Sequence, residues 1–276
     1  LTCYVSSFPP QLGRGTYSVV QKGTRKTKDH ASYAIKVVTK VKILEEVEAR
    51  LMEEIGVLQE LHDHENILAL RDVYEEPEAY YLVTDLMVGG DLLSRLVLLS
   101  FLPEVHARGI VKMILEAVRY MHSFRIVHRD LKPGNILMVS DNVHDFRIKL
   151  ADFGFAKKEV AAPPDSFRTI CGTLPYAAPE VLNAQSYGSK ADMWSIGVCC
   201  FAMLAGCEPF EGECDEEIQF AVEKGDYVFH EEFFSAVSDE AKDFIATLLA
   251  VQPKARASAE SALASPWFHK ELAASQ

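Results

Sequence analysis

A chain of 276 residues with ordinary apolar and charged fractions can bury one large core or two abutting lobes, and two lobes leave a cleft between them. Its formal net charge of −12 argues against nonspecific nucleic-acid binding, which needs Lys and Arg to neutralise phosphates, and fits basic partners. No uncharged apolar run reaches the about 18 residues of a membrane helix: Arg95 interrupts residues 92–102, and residues 195–206 are too few.

From Gly13 to about Thr84, short β-branched runs such as residues 18–22 and 33–38 alternate with turn-prone polar stretches, which predicts an antiparallel sheet. Residues 45–61 interrupt it with Val47, Leu51, Glu54, Ile55 and Leu58 at helical spacing, so one helix is expected to pack on that sheet. Gly89-Gly90 can serve as a hinge. Beyond it the pattern turns helical over residues 91–99, 103–121, 191–204 and 239–250, and the second lobe is expected to be mostly α. Pro163-Pro164 marks an irregular surface loop. Six cysteines without CxxC spacing read as free thiols of a reducing compartment. The chain starts at Leu1 with no signal-peptide pattern, so a segment of a longer intracellular protein, cytoplasmic or nuclear, is the expectation.

Residues 12–20 form a glycine turn (Gly13, Gly15) followed by a β-branched strand, which lets backbone amides approach phosphate oxygens; taken alone, two such glycines are more often an ordinary hairpin. Lys36 ends the apolar run Tyr33-Ala34-Ile35, where its ammonium must be paired or snorkel to water. Glu54, on the inward face of the next helix, supplies a carboxylate for the pair. The strongest signal is His128-Arg129-Asp130-Leu131-Lys132-Pro133-Gly134-Asn135, followed by Asp152-Phe153-Gly154 and Ala178-Pro179-Glu180. In this order and spacing after Lys36, these segments resemble the protein kinase family over residues 12–268, and Lys132-Pro133 favours serine/threonine over tyrosine as acceptor.

The resemblance implies an α+β bilobal fold: a small antiparallel β lobe with one helix (residues 1–84), a connector (85–90) and a larger, mainly helical lobe (91–276). It implies transfer of the γ-phosphate of ATP to a protein hydroxyl, with roles taken from the kinase template matched residue by residue. Asp130 would accept the substrate proton and Lys132 would offset charge on the phosphoryl group. Asn135 and Asp152 would hold Mg²⁺. Lys36 would grip phosphates with Glu54 holding it. Gly13 and Gly15 would cover the nucleotide, Leu12, Val20, Ala34 and Leu137 would face adenine, the backbones of Asp85 and Met87 would bond it, and Asp91 would lie near the ribose. Thr84 should shape the pocket behind adenine. Leu58, Leu70, His128 and Phe153 fall at the positions of a hydrophobic stack joining the lobes. Asp192 resembles an aspartate that anchors the catalytic loop, and Glu180 should pair with Arg256.

Gly89-Gly90-Asp91-Leu92, Thr169-Ile170-Cys171-Gly172-Thr173 and the closing Pro266-Trp267-Phe268 are similar to the calcium/calmodulin-dependent protein kinase group. Gly134 departs from a common glutamate, without removing a catalytic group. The rival reading is a pseudokinase scaffold, but Lys36, Asp130 and Asp152, whose loss marks such proteins, are all present. A P-loop switch fails for want of GxxxxGK[ST]. His62-Asp63-His64 reads as a turn rather than a metal site, and residues 208–217 as a solvated acidic loop. Expected partners are basic protein substrates and an upstream kinase acting on Thr169, with neither nucleic acid nor membrane.

Overall fold

A computed structural model describes residues 4–14, 18–26, 31–40, 44–159, 167 and 172–269. The β-branched runs form five antiparallel strands, β1 (Tyr4–Arg14), β2 (Ser18–Arg25), β3 (Ser32–Thr39), β4 (Leu70–Glu75) and β5 (Ala79–Asp85), in the order β1-β2-β3-β5-β4. Residues opposite one another on neighbouring strands share a face. The register Val20↔Lys36↔Leu82, with Ala34↔Thr84 beside it, therefore gathers these five side chains on one side. The alternate residues Ile35 and Val83 pack with Tyr33, Val37, Tyr74 and Tyr81 on the other.

Helix α1 (Glu45–Glu60) lies where the 3.6-residue spacing puts it, burying Leu51, Glu54, Ile55, Val57 and Leu58. Leu51 and Ile55 meet Val38, Tyr80 and Leu82 of the sheet. One turn further on, Val57, Leu58 and Leu61 join the main core of the helical lobe, so this helix is bedded in both lobes. It has no side-chain N-cap; Glu45, Glu46 and Glu48 in its first turn complement the positive end of its dipole instead.

The helical lobe contains α2 (Leu92–Leu99), α3 (Glu104–Ser123), α4 (Pro179–Leu182), α5 (Lys190–Ala205), α6 (Asp215–Lys224), α7 (Glu231–Phe234), α8 (Asp239–Leu248) and α9 (Ala259–Leu263). Every residue of α5 from Ala191 to Ala205 is buried, as expected of a helix apolar on all sides. Short strands pair across the top of this lobe: β6 (Ile126–Val127) with β9 (Lys157–Lys158), and β7 (Ile136–Met138) with β8 (Ile148–Leu150). Near the end of the described chain, buried Trp267 donates its indole N–H to Glu104 at 2.8 Å.

The glycine pair between the lobes is a seam. Gly89 donates to the Met138 carbonyl at 3.2 Å and Met138 donates back to Gly90 at 2.9 Å. A Cβ on Gly89 would collide with the Ser140 carbonyl, and Gly90 has φ +71°, so both positions require glycine. The acidic run is only partly loop, since Asp215, Glu216 and Glu217 form the first turn of α6, where negative charge is favourable. His62 and His64 serve a turn: His62 Nδ1 lies 2.8 Å from the Gln59 carbonyl, and His64 Nδ1 accepts from the Asn66 amide at 3.1 Å. Pro163-Pro164 lies outside the described residues.

Candidate active site

The site is built from the buried side outward. Asp192, near the start of α5 and wholly buried, accepts from the amides of His128 (3.0 Å) and Arg129 (2.9 Å), and its Oδ2 lies 2.9 Å from His122 Nε2 of α3. Burial alone would raise its carboxyl pKa. The hydrogen bond and charge of His122, the charge of His128 and the Arg129 amide outweigh that, and the carboxyl sits below its ordinary value. Arg129 has φ +69°, a conformation costly for a residue with a Cβ, which these two amide bonds hold in place. The Asp192 assignment made from sequence thus holds, while its third partner, His122, carried no sequence signal.

Held in this way, the loop presents Asp130, buried at the cleft floor. Its Oδ2 accepts from Lys132 Nζ at 2.8 Å and from Asn135 Nδ2 at 2.9 Å, and its Oδ1 accepts from the Thr173 hydroxyl at 3.2 Å. Lys132 also donates to Thr173 Oγ1 at 2.7 Å. Asn135 gives its second amide hydrogen to the Asp130 carbonyl at 2.8 Å, leaving its Oδ1 as the acceptor atom. Thr173, from the segment before α4, therefore closes a ring with Asp130 and Lys132.

Above the loop, Lys36 Nζ meets both carboxylate oxygens of Glu54, at 2.7 and 2.8 Å, joining β3 to α1. Asp152 is exposed, with φ +58°. A Cβ on Gly154 would lie 3.3 Å from Asp152 Oδ1 and 3.9 Å from Glu54 Oε2, so the bare glycine leaves room for the Asp152 carboxylate close to that of Glu54. Behind them Phe153 and His128 are buried with ring centroids 4.9 Å apart, Leu58 is buried, and Leu70 packs against the same core. That places the four residues of the expected stack in one apolar mass.

Along the cleft wall, Val20, Ala34 and Thr84 share the sheet face of Lys36, Gly13 pairs with Val20, and Leu137 of β7 bridges to Asp91. Leu12 is largely exposed at the rim. The Asp85 carboxylate is held by the Arg71 guanidinium at 2.6 and 2.9 Å, its amide donates to the Ala69 carbonyl at 3.3 Å, and its own carbonyl accepts a long contact from the Thr84 hydroxyl at 3.4 Å. Among the described residues the Met87 amide and carbonyl take part in no backbone hydrogen bond. Asp91 caps α2, its Oδ1 accepting from the Ser94 amide at 2.7 Å. Gly15 and Thr169 lie outside the described residues.

Away from the cleft, Glu180 and Arg256 form the expected pair, bidentate at 2.7 and 3.0 Å and buried. Contacts that no motif announced are Tyr80 with Glu48 of α1, and Phe167 and Tyr187 around Arg129.

A two-lobed fold with a lysine–glutamate pair over a carboxylate, an amide and a second lysine defines a phosphoryl-transfer enzyme. The chain matches the protein kinase domain over residues 7–268 and belongs to that family. It is 41% identical over 265 residues to myosin light chain kinase A of Dictyostelium discoideum, covering 96% of this chain and 88% of the relative. Calcium/calmodulin-dependent protein kinase type 1 of Caenorhabditis elegans is 40% identical over 261 residues, covering 95% and 73%. The type IV enzyme of Mus musculus is 40% identical over 263 residues, covering 93% of this chain and 53% of its own length. The chain is a serine/threonine protein kinase of the calcium/calmodulin-dependent kinase-like group, acting on protein substrates in a family that uses ATP and Mg²⁺.

Proposed function

We propose that Asp130 is the catalytic base of this kinase and that Oδ1 is the oxygen that takes the proton from the substrate serine or threonine. The observation behind this is the unequal sharing of its two oxygens. Oδ2 is committed to Lys132 and Asn135, whereas Oδ1 carries one long contact from Thr173. Lys132, already at the carboxylate, is available to offset charge on the transferring phosphoryl group. Lys36, held by Glu54, grips the phosphates of ATP. Gly13 and Gly15 cover them, Leu12, Val20, Ala34 and Leu137 enclose adenine, and the backbones of Asp85 and Met87 bond its edge.

The residues also fit Mg²⁺. Asn135 has spent both amide hydrogens and keeps an oxygen, and Asp152 adds a carboxylate: two hard donors that leave other positions to phosphates and water. When bound, the ion neutralises phosphate charge. The lobes are assigned to residues 1–84 and 91–276, with 85–90 as connector, and the enzyme to an intracellular setting, cytoplasmic or nuclear. Among the described residues no helix is long and apolar enough to cross a membrane.

Asp130→Asn is the decisive test. It should lower kcat by about 10²- to 10⁴-fold, the range of positioned general bases, with ATP affinity little changed. An equal loss in both would contradict the assignment. Asp152→Ala should abolish Mg²⁺-dependent turnover, and undiminished turnover would remove it from the metal site.

Two finer features follow from side-chain chemistry. The substrate should carry arginine three residues before the acceptor, read by Asp91, and show little selection for arginine two residues before it, because Gly134 and Ala202 offer no carboxylate there. With Oδ1 engaged in capping α2, Oδ2 of Asp91 is the oxygen open to a guanidinium. Peptides with a single arginine moved between the two places, assayed on wild type and Asp91→Ala, decide this: equal selectivity for both, or a preference that survives the variant, refutes it. An upstream kinase acting on Thr169 would supply Arg129 with an anion. Full activity in Thr169→Ala, with no phosphate detected there by mass spectrometry, would rule that control out.

A further inference from the structure

Arg129 is the residue before the catalytic base, and its side chain is anchored by neutral groups. Its Nε donates to the Phe155 carbonyl at 2.6 Å, its Nη1 donates to the Tyr187 hydroxyl at 3.3 Å, and its guanidinium carbon lies 4.9 Å from the centroid of the Phe167 ring. Phe167 and Tyr187 are themselves tied together. Each donates its amide to the other's carbonyl, at 3.2 and 3.0 Å, and their rings stand 5.7 Å apart. Both are buried, at 7% and 2% exposure. A small cavity beside Tyr187, lined by Arg129 and Ser195 among others, amounts to about 10 Å³, room for a water at most.

Residues from four places in the chain therefore meet at one guanidinium: Arg129 of the catalytic loop, Phe155 just after Asp152-Phe153-Gly154, Phe167 and Tyr187. An aromatic face attracts a desolvated cation, and a carbonyl and a hydroxyl satisfy two of its donors. The backbone of Arg129 is strained at φ +69°, so whatever steadies its side chain also steadies the loop that aims Asp130.

We infer that Phe167 and Tyr187 are positioning residues for phosphoryl transfer: as a neutral cage around Arg129 they keep the catalytic loop competent in the chain whose Thr169 bears no phosphate. This rests on the assignment of Asp130 as the base. Modification of Thr169 then adds to a basal rate that already exists. Loss of the cage lowers that basal rate and makes full activity depend more heavily on the added charge.

The test uses the whole chain carrying Thr169→Ala, with kcat and KM measured for ATP and one peptide. Phe167→Leu keeps an apolar side chain and removes the ring face. It should lower kcat by about three- to thirtyfold, the span of a cation–π contact between exposed and desolvated settings. KM for ATP should stay within about twofold, because the ground-state nucleotide contacts are elsewhere. Phe167→Tyr, which restores a ring, should recover the rate. Repeating Phe167→Leu and Tyr187→Phe in an Arg129→Ala background separates caging from packing, since without the guanidinium neither should cost anything further. The inference is overturned if leucine at position 167 supports the full rate, or if either replacement costs the same factor with Arg129 absent; thermal melting of each variant accompanies the rates. Asp130→Asn in the same assay keeps the two claims apart: should it retain turnover, the assignment of the base fails, whatever the cage variants do.

Discussion

Two carboxylates hold the two halves of this site, and they do so by opposite means. Asp192 is completely buried and accepts from two backbone amides and a histidine. Glu54, itself only 7% exposed, is paired instead with a cationic side chain, that of Lys36, which is 27% exposed. A buried, fully satisfied charge is costly to disturb and fixes the loop it binds, whereas a pair whose lysine water can reach exchanges partners more readily. The helical lobe therefore presents a preformed loop around Asp130, and α1 with its Lys36–Glu54 contact is the more adjustable part.

The comparison breaks hardest at Asp192. Asp192→Asn leaves the loop amides facing a weaker acceptor and His122 without its anion, and should cost about 3–5 kcal/mol, the price of breaking a buried charged network. In thermal melting this corresponds to a fall of about 6–20 °C for a protein of this size. The pH dependence has a definite sign. The folded carboxyl pKa is depressed below its ordinary value of 3.8, so the stabilisation is present in full above that value and is lost as the pH falls through the depressed one. The gap between wild type and variant should be constant at neutral pH and close only below about pH 4, read from melting curves across the range. A gap that closes near neutrality would contradict control of the network by the Asp192 carboxylate.

Glu54→Gln tests the other side. Lys36 loses a charge-assisted partner in the cleft while the core around α1 is untouched, so melting should hardly move and kcat should fall by about ten- to a hundredfold. A collapse in stability comparable to that of Asp192→Asn would erase the distinction between a fixed and an adjustable half.

What the sequence revealed follows the same division. Asp130, Lys132 and Asn135 lie within six residues of one another, and Lys36 and Glu54 are 18 apart on a strand and the next helix, so pattern and local periodicity bring each group to view. The family likeness supplied Asp192 and the Glu180–Arg256 pair. Contacts between distant segments with no type-specific spacing stayed hidden: His122 with Asp192 across 70 residues, and Arg129 with Tyr187 across 58. Strands of two residues, such as β6 and β9, are too short to show a period. Helix α6 escaped notice because its first-turn acids, favourable against a helix dipole, are the same residues that make a run look like solvated loop. Gly89-Gly90 announced freedom and serves close approach, a difference that only the neighbouring Ser140 carbonyl decides.

The smallest effect is expected where α1 meets the surface strand β9. Lys158 pairs with Glu60, with side-chain exposures of 53% and 34%, and Lys157 reaches Glu53 at 3.8 Å. By position these contacts fasten the helix that carries Glu54 to the strand beyond Asp152. By physics they should contribute little, because water screens both charges and holding two long side chains in place costs entropy. Lys157→Ala/Lys158→Ala should therefore shift melting by no more than about 2 °C and alter kcat by no more than about twofold, with both differences vanishing in high salt. If the double variant instead loses activity as Glu54→Gln does, and salt mimics that loss in wild type, then α1 is docked through its surface charges. The adjustable half of the site would then answer to ionic strength as well as to Lys36.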